Sequence, residues 1–432
     1  MCQKKVAVFV WNHFTNDARV MRECMALQEA GYSVDLIAIH DAKNPDLPFQ
    51  ESPAERFIVY RMKAGYPPSI QAVLKYVQQH VWCLVLIACL FITLLLLFPR
   101  STIVFSVVIS PMFLKKTHTI IRRIFLVFRM IRQGLADVYD LYHANDLNTL
   151  PQATVCAKVF HRKKLIYDSH EVQTSRTGYN HPIYGISEKW LLRFVDVCIH
   201  ENDTRAAYIA KRYHFYPKVI HNYPEKVYLE KQSAIDLHGI LAIPRHEPIL
   251  LYQGGVQIGR GLDKLVQAVP YFDRGVVVII GDGRIKKYLQ QQVTDAKLTH
   301  KIKFLPKVPL RDLLYYTKQA YLGFQVLNNI CFNHYSASSN KLFEYIMSGV
   351  PVIGSDFPEI KKIIQGESVG LVVDSHNPVS IAAGVNQLLA NPVLRETYHQ
   401  NCYRAREIYN WEHEKKHFLE IYKEVEDGHD KK

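Results

Sequence analysis

An α/β protein built on two parallel sheets follows from three features of the chain. Short apolar runs rich in Val, Ile and Leu alternate with helical patterns, as buried parallel strands and their crossover helices do. The alternation stops at His221-Asn222-Tyr223-Pro224, which reads as a linker, and restarts at Ile249. The length of 432 residues exceeds what one ordinary core serves and suits two domains.

The elements follow in order. Val6–Trp11 is too brief for the apolar part of a signal peptide, and Asn12-His13 follows it with no small-residue cleavage site, so it reads as the first buried strand. A helix from about Asp17 to Ala30 ends at Gly31. Strands are expected at Val34–Ile39, Arg56–Met62, Val138–His143, Lys164–Tyr167 and Val195–His200. The second half opens with Ile249–Gln253 and a helix from about Leu262 to Val269. Val276–Gly281, Lys303–Phe304, Tyr321–Val326, Val350–Gly354 and Gly370–Val373 supply its other strands. The tail, Trp411 to Glu426, is helical and charged.

An insertion of about residues 70–133 interrupts the first half. Val81–Phe98 is eighteen residues without a charge, and Ser101–Leu114 is a second apolar run after Pro99-Arg100. Ile120–Ile131 carries Arg on one side and bulky apolar residues on the other, as an interfacial helix would. The strands on either side belong to one sheet, so the insertion must return to its starting side. A hairpin around residues 81–114 that dips into a membrane from the cytoplasmic face satisfies this. The alternative is a buried core hairpin.

Charge supports the membrane. The net charge of +13 comes mostly from eleven Lys and Arg between Arg56 and Leu135, a stretch with no Asp or Glu. These bases interleave with aliphatic runs, which favours anionic lipid over nucleic acid as the partner. Eight scattered cysteines without a CxxC pair exclude a disulfide framework or zinc site. No DxD pair with partners marks a metal site, and no cofactor is expected.

Residues 338–359, SSNKLFEYIMSGVPVIGSDFPE, carry the most chemistry. A helix starts after the Ser/Asn cluster and ends at Gly349. Lys341 and Glu344 stand three apart on one face of its first turn. A helix N-terminus with a lysine suits a diphosphate, and a glutamate one turn in can accept hydrogen bonds from a sugar hydroxyl. The bland alternative is a capped helix with a solvated Lys and Glu. Arg260 follows the glycine-rich turn Gly254–Gly259, where backbone can approach phosphate closely. Gly281-Asp282-Gly283 ends a buried strand, the edge at which such sheets bind ligands.

The stretch around Ser339-Asn340-Lys341-Leu342-Phe343-Glu344-Tyr345 resembles the donor-binding signature of GT-B glycosyltransferases of the retaining family 4 type (glycosyl transferases group 1). Asn16-Asp17-Ala18-Arg19-Val20 resembles the acceptor-side loop and helix of that family. His143-Ala144-Asn145-Asp146 and Tyr167-Asp168-Ser169-His170-Glu171 resemble its HAND and YDxHE elements. Tyr252–Gly255 with Arg260-Gly261-Leu262, and Gly281-Asp282-Gly283, match further motifs in the expected order. The resemblance implies two Rossmann-like domains facing a cleft. Residues 1–222 would form the acceptor-side domain with the apolar helical membrane insertion, and 223–405 the nucleotide-sugar-binding domain. Residues 406–432 would form a helix packing back on the first domain.

It also implies site roles. Arg260 and Lys341 would stabilise the leaving diphosphate, and His170 would lie beside the donor sugar. Gly254, Gly255, Asp282 and Asn340 would border the nucleotide, and Glu344 would hold its ribose. Glu359 either caps the next helix or touches the donor. Asn16, Asp17, Arg19, His143 and Asp146 would line the acceptor side, although Arg19 is equally an ordinary helix residue. One position departs from the family. The first glutamate of its E-x7-E pair falls on Ser336, which leaves the donor-sugar contacts to Asn333, His334 or Ser336 itself. The expected activity is retaining transfer from a nucleotide sugar, without a metal, to a membrane-proximal acceptor such as a lipid-linked saccharide, glycolipid or polysaccharide precursor. An inactive scaffold or partner subunit and a sugar-nucleotide epimerase are the rival readings.

Overall fold

The computed structural model describes residues 3–80, 115–175, 181–227 and 235–428, together with positions 82, 86, 89, 93, 94 and 96–98. The chain divides into two compact units, Met1–Asp168 with Leu191–Asp196, and Ser169–Trp190 with Val197–Lys432.

The first unit is a sheet with helices. Its strands are β1 (Lys5–Phe9), β2 (Ser33–Ile39), β3 (Gln50–Ala54), β4 (Phe57–Met62), β5 (Leu141–Asn145) and β6 (Lys164–Ser169), in the spatial order β3-β4-β2-β1-β5-β6. Strand β1 is central, with Val6 opposite Val34 on one side and Leu141 on the other. Residues 6–9 are all buried, which is why this run has no polar alternation. Strand β3, Gln-Glu-Ser-Pro-Ala, was not expected. It pairs antiparallel with β4 and has an irregularity between Glu51 and Ala54. An edge strand tolerates a proline and charge, so it carries no apolar signature to read. Asp17 caps the helix Ala18–Glu29 by accepting from the Val20 N–H.

The insertion is described at its two ends. Helix Pro68–Gln79 is largely exposed. Helix Lys115–Gly134 buries Leu126 and Met130, and Arg129 donates to the Gly65 carbonyl at 2.9 Å. Gly134 sits where a Cβ would lie 2.6 Å from Phe9, so only glycine lets the helix end pack on β1. Ile120, Ile124 and Phe128 of the same helix face outward, 56%, 47% and 62% exposed. The second half of the expected hairpin, 99–114, lies outside the described residues, as does much of 81–98. Among the described residues, no helix is long and apolar enough to cross a membrane.

The second unit contains the parallel pair β7 (Val197–His200) and β8 (Lys218–Val219) and a six-stranded sheet. The sheet comprises β9 (Ile249–Gln253), β10 (Val276–Ile280), β11 (Ile302–Leu305), β12 (Leu322–Gln325), β13 (Val352–Ser355) and β14 (Gly370–Val373), ordered β11-β10-β9-β12-β13-β14 and parallel throughout. Successive residues face opposite sides of such a sheet. Leu250, Tyr252, Val277 and Ile279 accordingly join one core cluster, and Ile249, Leu251, Val276 and Val278 the other.

The final helix, Trp411–Glu426, is fastened to the segment that follows β8. The Trp411 N–H donates to the Pro224 carbonyl at 2.8 Å, and Glu414 accepts from the His221 N–H at 2.6 Å. Lys218 pairs with Glu424 at 2.6 Å.

Candidate functional site

The site in the second unit is built at the C-terminal ends of β9 and β10. Two glycine turns meet there, backbone on backbone. A Cβ on Gly281 would lie 2.0 Å from the Gly254 carbonyl oxygen, and one on Gly283 would lie 2.0 Å from that of Val256. Gly254 (φ +116°) and Gly281 (φ +149°) also adopt backbone that side chains rarely take. The Gly254 N–H donates to Ile280 O (2.9 Å), and the Val256 N–H to Asp282 O (3.0 Å). The two glycine motifs therefore explain each other: each lets the other approach. Gly254 and Gly255 remain exposed. Asp282 is held by Lys286 (2.7 Å) and by the Lys307 N–H (2.8 Å), which lower its pKa.

Lys341 lies on this turn. Its side chain is only 6% exposed, and its Nζ has no hydrogen-bond partner among the described residues. The ammonium stands 4.0 Å from the centre of the Tyr252 ring, and its Nζ would be 3.7 Å from a Cβ on Gly254. Burial, then the charge of Arg260, pull the Lys341 pKa well below its ordinary value, with Glu344 opposing. A buried amine with no hydrogen-bonded partner, beside Arg260 and an exposed glycine turn, has the chemistry to accept an anion. Arg260 is half-buried after the left-handed Gly259 and ahead of the left-handed Gly261, where a Cβ would press on Val326 O at 2.8 Å.

Glu344 stays partly exposed. Its Oε2 accepts from Gln253 Nε2 at 2.6 Å. Burial raises the carboxyl pKa, while Gln253 and Lys341 pull it down. Asn340 is exposed, and its Oδ1 accepts from Asn222 at 2.9 Å. Glu359 is buried and accepts from the Thr204 N–H (2.9 Å) and hydroxyl (2.5 Å), so its carboxylate serves the start of the helix Asp203–Tyr213.

Ser336 is fully buried. Its hydroxyl donates to Phe332 O at 2.7 Å and accepts from Arg205 Nε at 3.2 Å, and its carbonyl accepts from Asn202 at 2.8 Å. Arg205 also donates to the His170 carbonyl at 2.6 Å and to that of Asn333 at 3.2 Å. Asn333 makes two hydrogen bonds with the Val172 backbone. The departure from the E-x7-E pair is thus an internal joint. Burial and the nearby Arg260 lower the pKa of His334.

The first unit gathers a different set. Arg19, Glu23, His143 and Asp168 are buried together: Arg19 bonds Asp168 at 2.7 Å and Glu23 at 3.0 Å. Ligand atoms of Glu23, His143 and Asp168 lie within 4.8 Å of one another. The guanidinium already sits on both carboxylates, so a second cation is poorly suited to that cluster. Asp17 is the helix cap described above, and Asn16 is exposed. Asp146 adopts φ +63° at the end of β5, and its N–H donates to Asp168 O at 2.8 Å.

Residues 234–406 match the family described as glycosyl transferases group 1. Over those residues the chain is similar to a glycosyltransferase domain. An uncharacterized glycosyltransferase of Methanocaldococcus jannaschii is 26% identical over 214 residues, covering 48% of this chain and 53% of the relative. The chain spans about half the length of the curated relatives it matches. Among solved structures, sucrose-phosphate synthase from Thermosynechococcus elongatus superposes with a TM-score of 0.74 at 17% identity, covering 99% of this chain and all of that one. Anabaena HepE in complex with UDP and glucose gives 0.69 at 13%, over 98% and 100%. The fold is therefore the expected α/β, GT-B-like one with parallel sheets.

The sequence singled out Arg260, Lys341, Glu344 and the two glycine turns, and the structure brings them together. It missed Gln253 and Tyr252 as site residues. The signal available was a glutamine ending the otherwise apolar run Ile249–Gln253, since a buried amide there must be bonded to something.

Proposed function

We propose that this protein is a retaining glycosyltransferase that moves a sugar from a nucleotide-sugar donor to an acceptor at the cytoplasmic face of a membrane. Residues 1–222 would form the acceptor-side domain and 223–405 the donor-side domain. The acceptor would be a lipid-linked saccharide, glycolipid or polysaccharide precursor. The observation that carries the reading is the buried, unpartnered ammonium of Lys341 beside Arg260 and the Gly254-Gly255 turn. A diphosphate supplies the missing anion. As the bond from the anomeric carbon to the diphosphate oxygen breaks, charge grows on that oxygen, and both cations stabilise it. The acceptor hydroxyl forms the new bond on the same face and yields its proton to the departing diphosphate. No metal is required in this scheme. HepE is described in complex with UDP, which makes UDP the first nucleotide to try.

The test is a thermal-shift screen of the detergent-solubilised full chain with UDP, GDP, ADP and CMP and their sugars. A nucleotide that binds the folded state raises the melting temperature. A shift that disappears in both Arg260→Ala and Lys341→Ala supports the reading, and no shift with any nucleotide defeats it. The buried Ser336 favours a second reading, an inactive scaffold, which that negative result would select.

A further inference from the structure

Glu344 does not hold its position alone. Gln253 is fully buried at the end of β9, and its Nε2 donates to Glu344 Oε2 at 2.6 Å. Its Oε1 lies 2.8 Å from the hydroxyl of Thr317, also fully buried, at the end of helix Leu310–Thr317. The orientation of this amide follows from chemistry. The amide NH2 faces Glu344 and the carbonyl faces Thr317, the arrangement in which a carboxylate accepts and a hydroxyl donates. The Thr317 hydroxyl, which also lies 2.8 Å from Leu313 O, then gives its hydrogen to Gln253. The Gln253 backbone N–H is fixed as well, by the Tyr345 hydroxyl at 3.3 Å. A helix, a strand end and a second helix thus meet in one chain of hydrogen bonds that ends on a partly exposed carboxylate.

We propose that Gln253, oriented by Thr317, is a positioning residue that presents the Glu344 carboxylate to the hydroxyls of the donor's ribose, and so sets how well the site distinguishes ribonucleotides from deoxyribonucleotides. This rests on the donor-site reading above. Without the amide donor the carboxylate loses both its fixed rotamer and a bond that favours its ionised form. A hydroxyl then gains little over a hydrogen at the same place. The role is one of position, since neither Gln253 nor Thr317 need touch the ligand.

The experiment uses the full chain and whichever of UDP, GDP and ADP shifts its melting temperature most, together with the 2′-deoxy and 3′-deoxy forms of that nucleotide. Dissociation constants are compared for wild type, Gln253→Leu, Thr317→Val and Glu344→Gln. Wild type should prefer the ribonucleotide to at least one deoxy form by roughly tenfold or more, the scale of a charge-assisted hydrogen bond. Gln253→Leu and Thr317→Val should bring that ratio towards one by weakening the ribonucleotide while leaving deoxynucleotide affinity nearly unchanged. Equal weakening of both forms, or an unchanged ratio, overturns the proposal. Should Gln253→Leu fail to fold, Thr317→Val decides alone. Glu344→Gln separates the two levels. A ratio that survives in Glu344→Gln defeats the ribose assignment itself. A ratio that collapses there but persists in the Gln253 and Thr317 variants defeats only the positioning role. No shift from any nucleotide on wild type overturns the donor reading and this inference with it.

Discussion

Lys341 is the residue at which stability and function oppose each other. Burying an ammonium without a partner costs free energy that a diphosphate would offset. Lys341→Met should therefore raise the melting temperature by roughly 2–4 °C, about 1 kcal/mol for a domain of this size, while removing the nucleotide-induced shift. A fall in melting temperature would show that the lysine is structural. The pH dependence has a definite sign. The folded-state pKa of Lys341 is depressed, so the unfolded chain binds more protons between the folded and unfolded values, and stability contributed by this residue rises with pH across that window. Nucleotide affinity should move the other way, weakening as pH rises through the depressed pKa, which titration calorimetry across a pH series can follow. Arg260, Glu344 and Tyr252 surround the group: Glu344 and the Tyr252 ring face favour its charge, and Arg260 opposes it. This residue was legible in the sequence, because its spacing to Glu344 places both on one helix face. Gln253 was not, because its role is set by Thr317, 64 residues away, and no local pattern encodes that contact.

At the level of elements, the two glycine turns behave as one part. Gly283→Ala would drive a methyl into the Val256 carbonyl at 2.0 Å, where backbone cannot yield cheaply. It should cost roughly 2–4 kcal/mol by denaturant unfolding and weaken nucleotide binding with it. Gly366→Ala, where a Cβ meets nothing within 4 Å, is the control and should be close to neutral. The strands of the six-stranded sheet were read from their continuous apolar runs, because parallel strands buried on both faces leave no other pattern. Strand β3 escaped for the opposite reason: its backbone pairing with β4 defines it, and its side chains are polar or small and largely exposed.

On the scale of the whole molecule, the described end of the insertion presents an apolar face. Helix Lys115–Gly134 buries Leu126 and Met130 yet exposes Ile120, Ile124 and Phe128 in a stripe flanked by Arg123 and Arg132. Replacing the three apolar residues with Ser should reduce co-sedimentation with vesicles containing anionic lipid by roughly tenfold, since each buried side chain contributes about 1.5–3 kcal/mol at most and an interface buries only part of it. Binding unchanged in that variant, and again after deletion of residues 81–114, would remove the membrane from the proposal. The alternating apolar runs made a two-part chain legible, with units that divide at Asp168 and Asp196, outside the stretch His221–Pro224 read as a linker. The stitching of the final helix was not, since it depends on contacts such as Glu414 to His221, 193 residues apart. That helix works as a splint on a distant stretch of chain. Shortening the protein from its C-terminus would release the backbone around His221–Pro224, and the first protease cut would fall there, far from the end that had been trimmed.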